Sequence, residues 1–219
     1  MAITSTTQLA NLALSDLGAR RIDALDSDTS TEAKACRLHF DHCRDSLLRR
    51  HPWSFATRRV GISRITGDPV KEWAAVWQLP PDLVRLIRVV SVANDSKVPE
   101  NNFALEGRQL LTSDTDAKHI VYVSNDIPVG EWDSLFVEAM TYALTARIAK
   151  DITGNPQEAQ AATQKLEALA LPTAQTADAR EVLSGENHGP AHLVARSFLV
   201  RSRYRSHGGP SYRPTLPES

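Results

Sequence analysis

Cysteine is almost absent from this chain: its 219 residues include only Cys36 and Cys43. On one helix, seven residues apart, the two lie about 10 Å apart along the axis, too far for a bridge. No disulfide is expected, which fits a reducing compartment. Long apolar runs are missing as well, and none approaches the roughly 20 residues that cross a bilayer. Residues 1–5 have neither a basic start nor an apolar stretch, so no secretory signal is expected and a cytoplasmic site of synthesis is. Nor is there an excess of one charge: 25 Lys and Arg against 26 Asp and Glu give a net charge of −1. That balance supplies no global field for nucleic acid or a membrane surface. The usual catalytic signatures are not found, neither GxSxG, nor a Walker loop, nor GxGxxG. Asp41 and Asp45 beside histidines offer no more than any charged helix does. No catalytic residue and no cofactor are expected. What remains, 42% hydrophobic and 23% charged, is the composition of a globular protein long enough to bury a core.

Four segments carry helical periodicity. Residues 7–17 put Leu9, Leu12, Ala13 and Leu17 on one face, with Gly18 as a stop. The second begins at Thr29, with Glu32 completing a capping box. It runs to Arg50 through the stripe Ala33, Cys36, Phe40, Cys43 and Leu47, and Pro52 ends it. A third spans residues 131–152 and closes at Gly154. The fourth starts at Asn155-Pro156, an N-cap followed by proline at the first helical position. Pro172 is expected to kink or break it before helix resumes to Leu183.

Between the second and third helices the texture becomes β-rich. Residues 60–65 alternate, residues 73–79 and 83–92 are rich in branched and aromatic side chains, and residues 119–123 read as another strand. "FALEGRQLLT" reads as a hairpin turning at Glu106-Gly107. From Ser184 onward, glycine and proline deny a long helix or sheet. Yet Leu193, Val194, Phe198, Leu199, Val200 and Tyr204 are too many apolar groups for a purely solvated tail. Arg196, Arg201, Arg203, Arg205 and Arg213 accompany them. The expected class is α+β: mainly a helical bundle (1–55 and 128–183), a β-rich insert (56–127) and an extended C-terminal docking arm (184–219).

"RRHPWSFATRRV" (49–60) sits where helix hands over to sheet. Pro52 stops the helix and pushes His51 toward extended geometry. Trp53 and Phe55 alternate with Ser54 and Ala56, so both rings are expected on one face of a starting strand. Pro52, Trp53, Phe55 and Trp77 are therefore taken as a structural hinge holding insert to bundle. Cys36, His39 and Cys43 fall on neighbouring turns of one helix face. No fourth ligand or cysteine cluster joins them, and small buried cysteines are common, so no metal site is expected. Trp53, Trp73 and Trp77 bracket the handover and Trp132 opens the third helix, a distribution that suits core packing better than a base-stacking platform.

Several of these pieces, in order, carry a family resemblance. They are "LANLALSDLG" with "RRIDAL", then "RDSLLRRHPWSFATRRV" and "WQLPPDLVRLIRV". "FALEGRQLLT" with "IVYVSN" follows, and then "WDSLFVEAMTYALTARIAKDITG" before a long helix. Over residues 5–183 the chain resembles the tail tubular protein A and head-to-tail adaptor proteins of tailed bacteriophages. "HPWSFA" and "LPPDLVRLIRV" are the more specific parts.

The resemblance implies a structural, non-catalytic component of the virion at the head-tail junction, assembled in the host cytoplasm. It implies a ring, commonly twelve-fold, that sits beneath the portal protein, extends the channel for genomic DNA and carries the next tail or nozzle protein. The C-terminal segment of such proteins typically grips the portal. Here Phe198, Leu199 and Tyr204 would anchor that contact, with Arg201, Arg203 and Arg205 as its charged fringe. Those arginines and Tyr204 are also the kind of interleaved set that binds phosphates and stacks bases. A nucleic-acid-binding protein acting through a basic arm is therefore the alternative.

Overall fold

The computed structural model describes residues 3–66, 72–93 and 95–185. The packing described below lies within one compact unit, Met1–Asp178. The class is mixed α+β. Among the described residues, two helices, α1 (Thr6–Asp16) and α2 (Thr31–Arg50), precede seven strands. Three helices follow: α3 (Ser134–Thr153), α4 (Pro156–Lys165) and α5 (Leu171–Gly185).

The central helix is α3, against which α1, α2 and α4 all pack. Its small residues explain how. Ala139, Ala143 and Ala149 are buried and let the neighbouring backbones approach. The Cys43 thiol of α2 lies 3.6 Å from the Ala143 carbonyl, and the Thr145 hydroxyl donates to the Ala13 carbonyl of α1 at 3.4 Å. One apolar core runs from Leu9 and Leu14 through Phe40 and Leu47 to Phe136, Met140, Leu144 and Leu171. The stripe of α2 is as expected, since Ala33, Cys36, Phe40, Cys43 and Leu47 are all buried.

Three helix expectations need correction. On α1, Leu12 is 40% exposed, while Ala10 and Leu14 are buried with Leu9 and Ala13. The stripe is thus rotated toward Leu14. The N-cap of α2 is Ser30, not Thr29: its hydroxyl accepts from the Ala33 amide at 3.2 Å, and Asp28 in turn accepts from the Ser30 amide. At the other end, Pro172 does not interrupt the helix. Residues Leu166–Ala170 form a π-helical segment that leads directly into α5. Proline lacks an amide and its ring crowds the carbonyl four residues back. A widened turn at that point removes the conflict. The cap at Asn155-Pro156 is as expected, with the Asn155 side chain accepting from the Gln157 amide.

The strands form two antiparallel sheets. The first has the order β1-β7-β3-β4, from β1 (Thr57–Ile62), β3 (Leu83–Ser91), β4 (Ser96–Lys97) and β7 (Lys118–Ser124). The second has the order β2-β6-β5, from β2 (Ala75–Gln78), β5 (Phe103–Glu106) and β6 (Gln109–Thr112). The β5–β6 hairpin turns at Gly107-Arg108, one residue later than expected, because the left-handed φ of +57° falls on Gly107. Beyond β1 the chain crosses to the second sheet, where the Ile65 amide donates to the Val76 carbonyl at 2.8 Å.

Between the sheets lies a second core of Trp77, Val89, Val98, Leu110, Ile120 and Tyr122. Strand β7 serves both cores: Ile120 and Tyr122 face the other sheet, whereas Val123 joins the helical core. Burial on both faces is why "IVYV" shows no polar alternation.

Candidate functional site: the helix-to-sheet junction

At the end of α2, His51 is extended (φ −144°, ψ 148°), as a residue before proline should be. Trp53 then enters the helical core completely, at 0% exposure. Its indole N–H donates to the Leu47 carbonyl at 3.0 Å, using one of the carbonyls that the end of α2 leaves without a helical partner. The rings of Trp53, Phe55 and Trp132 all meet Phe136 edge-on, with centroids 5.0, 4.9 and 5.3 Å away. Such edge-to-face contacts are the favoured aromatic geometry. Trp53 and Phe55 do share one destination, but not as strand residues. Residues 54–56 form a turn, and β1 starts only at Thr57. The turn is closed by the Trp53 carbonyl, which accepts from the Ala56 amide and the Thr57 hydroxyl.

Trp77 is elsewhere. It belongs to the core between the sheets and donates to the Thr112 hydroxyl at 2.9 Å. The expectation that it grips the helices is therefore corrected: the side of β2 that carries Trp77 looks toward β7 and β3. Pro52 is exposed, and it acts through its backbone restriction alone.

The junction is completed by Asp178 of α5, which is 6% exposed. One carboxylate oxygen accepts from the Ser54 amide (2.9 Å) and hydroxyl (2.6 Å), and the other lies 2.8 Å from His51 Nε2. Serine, histidine and aspartate thus meet, but in an order that does not activate the serine. Both Ser54 and His51 point at the carboxylate, and a nucleophile needs its base next to it, with the acid behind the base. The cluster ties α5 to the 51–54 turn.

A second set of polar groups ties α2 to the strands. Asp82 accepts from Tyr122 Oη at 2.9 Å and Ser124 Oγ at 2.6 Å. Burial alone would raise the Asp82 carboxyl, but these two bonds, with Arg58 nearby, outweigh it and hold it below its ordinary value. Burial and the same bond to Asp82 push Tyr122 up to about 12. Asn125 bridges onward, its side-chain amide donating to both oxygens of Asp45 at 3.2 Å.

The four arginines of "RRHPWSFATRRV" do not converge. Arg49 donates to the Val84 carbonyl at 2.7 Å, and Arg50 pairs with Glu167 at 2.6 Å. Arg58 lies 4.0 Å from Glu131, and Arg59 is exposed on β1.

Other sequence candidates are scattered or outside the description. Cys36 and Cys43 are buried thiols, each pushed up to about 11 by burial. His39 lies 3.9 Å from Asp151 of α3. Among the described residues no group of three potential ligands gathers around a metal-sized space, and no helix is long and apolar enough to cross a membrane. The arm residues Phe198, Leu199, Arg201, Arg203, Tyr204 and Arg205 lie outside the described residues.

Asp178 and Phe136 were not anticipated at the junction. For Asp178 the signal was present. Leu171, Ala174 and Asp178 follow the three-four spacing of a buried stripe, and all three are buried. An acid in an apolar stripe marks a partnered carboxylate. No protein-family model matches the chain, and no curated protein matches it.

Proposed function

We propose that the chain is a structural head-to-tail adaptor of a tailed bacteriophage. It would form a ring, commonly twelve-fold in that family, beneath the portal protein, extend the channel for genomic DNA and carry the next tail component. On this reading residues 1–55 and 128–183 are the helical bundle of the ring wall, 56–127 the β-rich insert, and 184–219 the portal-docking arm. Phe198, Leu199, Arg201, Arg203, Tyr204 and Arg205 are its contact residues. The protein has no reaction to catalyse and resides in the virion.

One observation carries most of the weight. The two most specific pieces of the resemblance, "HPWSFA" and "LPPDLVRLIRV", are separated in sequence by residues 57–78 but both pack at the helical core. The first supplies Trp53 and Phe55 to the helical core, and the second supplies Asp82 and the Val84 carbonyl that tie the strands to α2 and β7. A motif spent on holding elements together, rather than on a cleft, supports a scaffold. A ring of identical subunits also needs two different faces per subunit, and a near-neutral body with interspersed charges suits that.

The test is the mass of purified protein in solution, alone and after mixing with portal rings of its own phage. Monomers that become a stoichiometric ring on the portal are the expected result. Protein that ignores portal yet shifts DNA through its arm would favour the nucleic-acid alternative instead.

A further inference from the structure

Strand register gathers arginines that are far apart in sequence. Val121 of β7 is directly opposite Arg59 of β1 on one side and Arg88 of β3 on the other. Residues directly opposite one another project from the same face of a sheet. The next row in one direction is Thr57–Val123–Arg85, and in the other Gly61–His119–Val90. This face therefore carries Arg59, Arg88 and His119, while Arg85 donates to the Arg49 carbonyl at 3.3 Å where the Val123 row meets the helical core, and no acid occurs in the three rows. It is the face opposite to Ile120 and Tyr122, which look into the core between the sheets.

Two details point to more than a solvated surface. The register shifts between Leu86 and Arg88, where Ile87 is the extra residue of a bulge. In regular alternation Ile87 would share the face of Arg85; the bulge replaces it there with Arg88. Among the described residues neither Arg59 nor Arg88 has an ion-pair partner, whereas Arg58 faces Glu131 and Arg50 pairs with Glu167. Val121 between them is only 5% exposed, although both arginines are exposed.

We propose that this face of the first sheet binds the phosphate backbone of duplex DNA. Strands about 4.8 Å apart place Arg59 and Arg88 roughly 10 Å from each other across β7. Guanidinium groups match phosphate oxygens in fork geometry. These rows hold no exposed apolar side chain to anchor a protein partner, since their central valine is buried, and the hollow beside Arg88, lined by Ile87, Phe103 and Leu105, also carries the charges of Lys97 and Glu100. Single strands would need aromatic rings for stacking, and the rows hold no Trp, Tyr or Phe. Charge without an anchor suits sequence-independent backbone contact. Gly61 contributes by leaving room for the His119 ring, whose Cδ2 would lie 3.2 Å from a Cβ at that position. The assignment does not rest on the adaptor reading, and its test involves no portal, so either can fail alone.

The test is fluorescence anisotropy of the full chain with a labelled duplex of about 30 base pairs, titrated from roughly 50 to 200 mM salt. Affinity is expected to fall steeply with salt. The double substitution Arg59→Gln/Arg88→Gln is expected to lower the log–log slope by about 2, while Arg59→Lys/Arg88→Lys keeps it. Should the glutamine pair melt early, each single substitution carries the same test at about half that change. The proposal is overturned by any of three results: no duplex binding at the lowest salt, an unchanged slope in the glutamine variants, or tighter binding of poly-glutamate than of duplex. It is equally overturned if only Arg201→Gln/Arg203→Gln/Arg205→Gln reduces binding, which would hand the contact to the arm.

Discussion

Trp53→Ala is the most informative perturbation of this fold, because a single ring joins the end of α2, the turn before β1 and α3. The side chain is 0% exposed and contacts the rings of Phe136 at 5.0 Å and His51 at 4.8 Å. Deleting a buried tryptophan typically costs about 3–5 kcal/mol through lost transfer energy and the residual cavity. Two further losses argue for the upper half of that range. Each aromatic pair adds about 0.5–1.5 kcal/mol beyond area, and the Leu47 carbonyl loses its donor at a buried helix end, at a cost of about 1–3 kcal/mol. Partial collapse of Phe55 toward Phe136 would return some of this. A net loss of about 4–5 kcal/mol is expected, which is a large share of the roughly 5–15 kcal/mol that a native protein has.

Urea unfolding followed by far-ultraviolet circular dichroism measures this without relying on the fluorescence of the three remaining tryptophans. For a chain of this size the melting point should also drop by roughly 8–20 °C. Trp53→Phe separates the contributions: it keeps ring contacts but loses the donor, so roughly 1–2 kcal/mol is expected. A loss below about 1 kcal/mol in Trp53→Ala would refute the reasoning, since such a value belongs to a surface position.

Asp178→Ala removes the acceptor shared by the half-buried His51 and the exposed Ser54 and should cost about 1–3 kcal/mol in the same assay; Asp178→Asn, which keeps one acceptor oxygen, should cost less. Alkali should destabilise the protein. Cys36 and Cys43 are raised from 9.0 to about 11 and Tyr122 from 10.0 to about 12, so the unfolded chain loses these protons first. Their stabilisation is complete below pH 9 and fades as pH rises toward 12; a urea midpoint that stays flat between about pH 8 and 11 would contradict this. At the acid end, Asp82 is held below 3.8, so its contribution fades only as pH falls beneath that value, and Asp82→Asn should remove that acid dependence. Deleting residues 190–219 should leave the cooperative melt intact while abolishing attachment to portal; a truncated protein that still docks normally would sink the role given to the arm.

How far the sequence discloses this molecule depends on the range of the interaction. The buried stripe of α2, the cap at Asn155-Pro156 and the β5–β6 hairpin are set by neighbours within a few residues, and they stand within a residue of expectation. The cap of α2 shifts by one residue because Thr29 and Ser30 are both competent, and Asp28 favours Ser30 by accepting from its amide. Pro172 misleads for a different reason. Its local preference is to break a helix, yet a π-helical segment answers the lost hydrogen bond and the chain stays helical. Trp77 misleads through topology: periodicity shows that one side of β2 is apolar but not which layer that side meets, and a second core between the sheets cannot be inferred from one strand.

The arginines carry the same lesson further. "RRHPWSFATRRV" is a cluster in sequence only: Arg49 serves a strand carbonyl, Arg50 a helix acid, Arg58 the 129–131 turn, and Arg59 a sheet face. The cationic surface that does exist draws Arg59 from that stretch and Arg88 from "LVRLIRV", 29 positions later, onto one row through their common neighbour Val121. Nothing in the spacing of either segment predicts the pairing, because a one-residue change of register would send each side chain to the opposite face. The bulge at Ile87 makes that change on purpose for one strand only. Charge that is near-neutral in sum, and clustered only after folding, can therefore be found from register and not from composition.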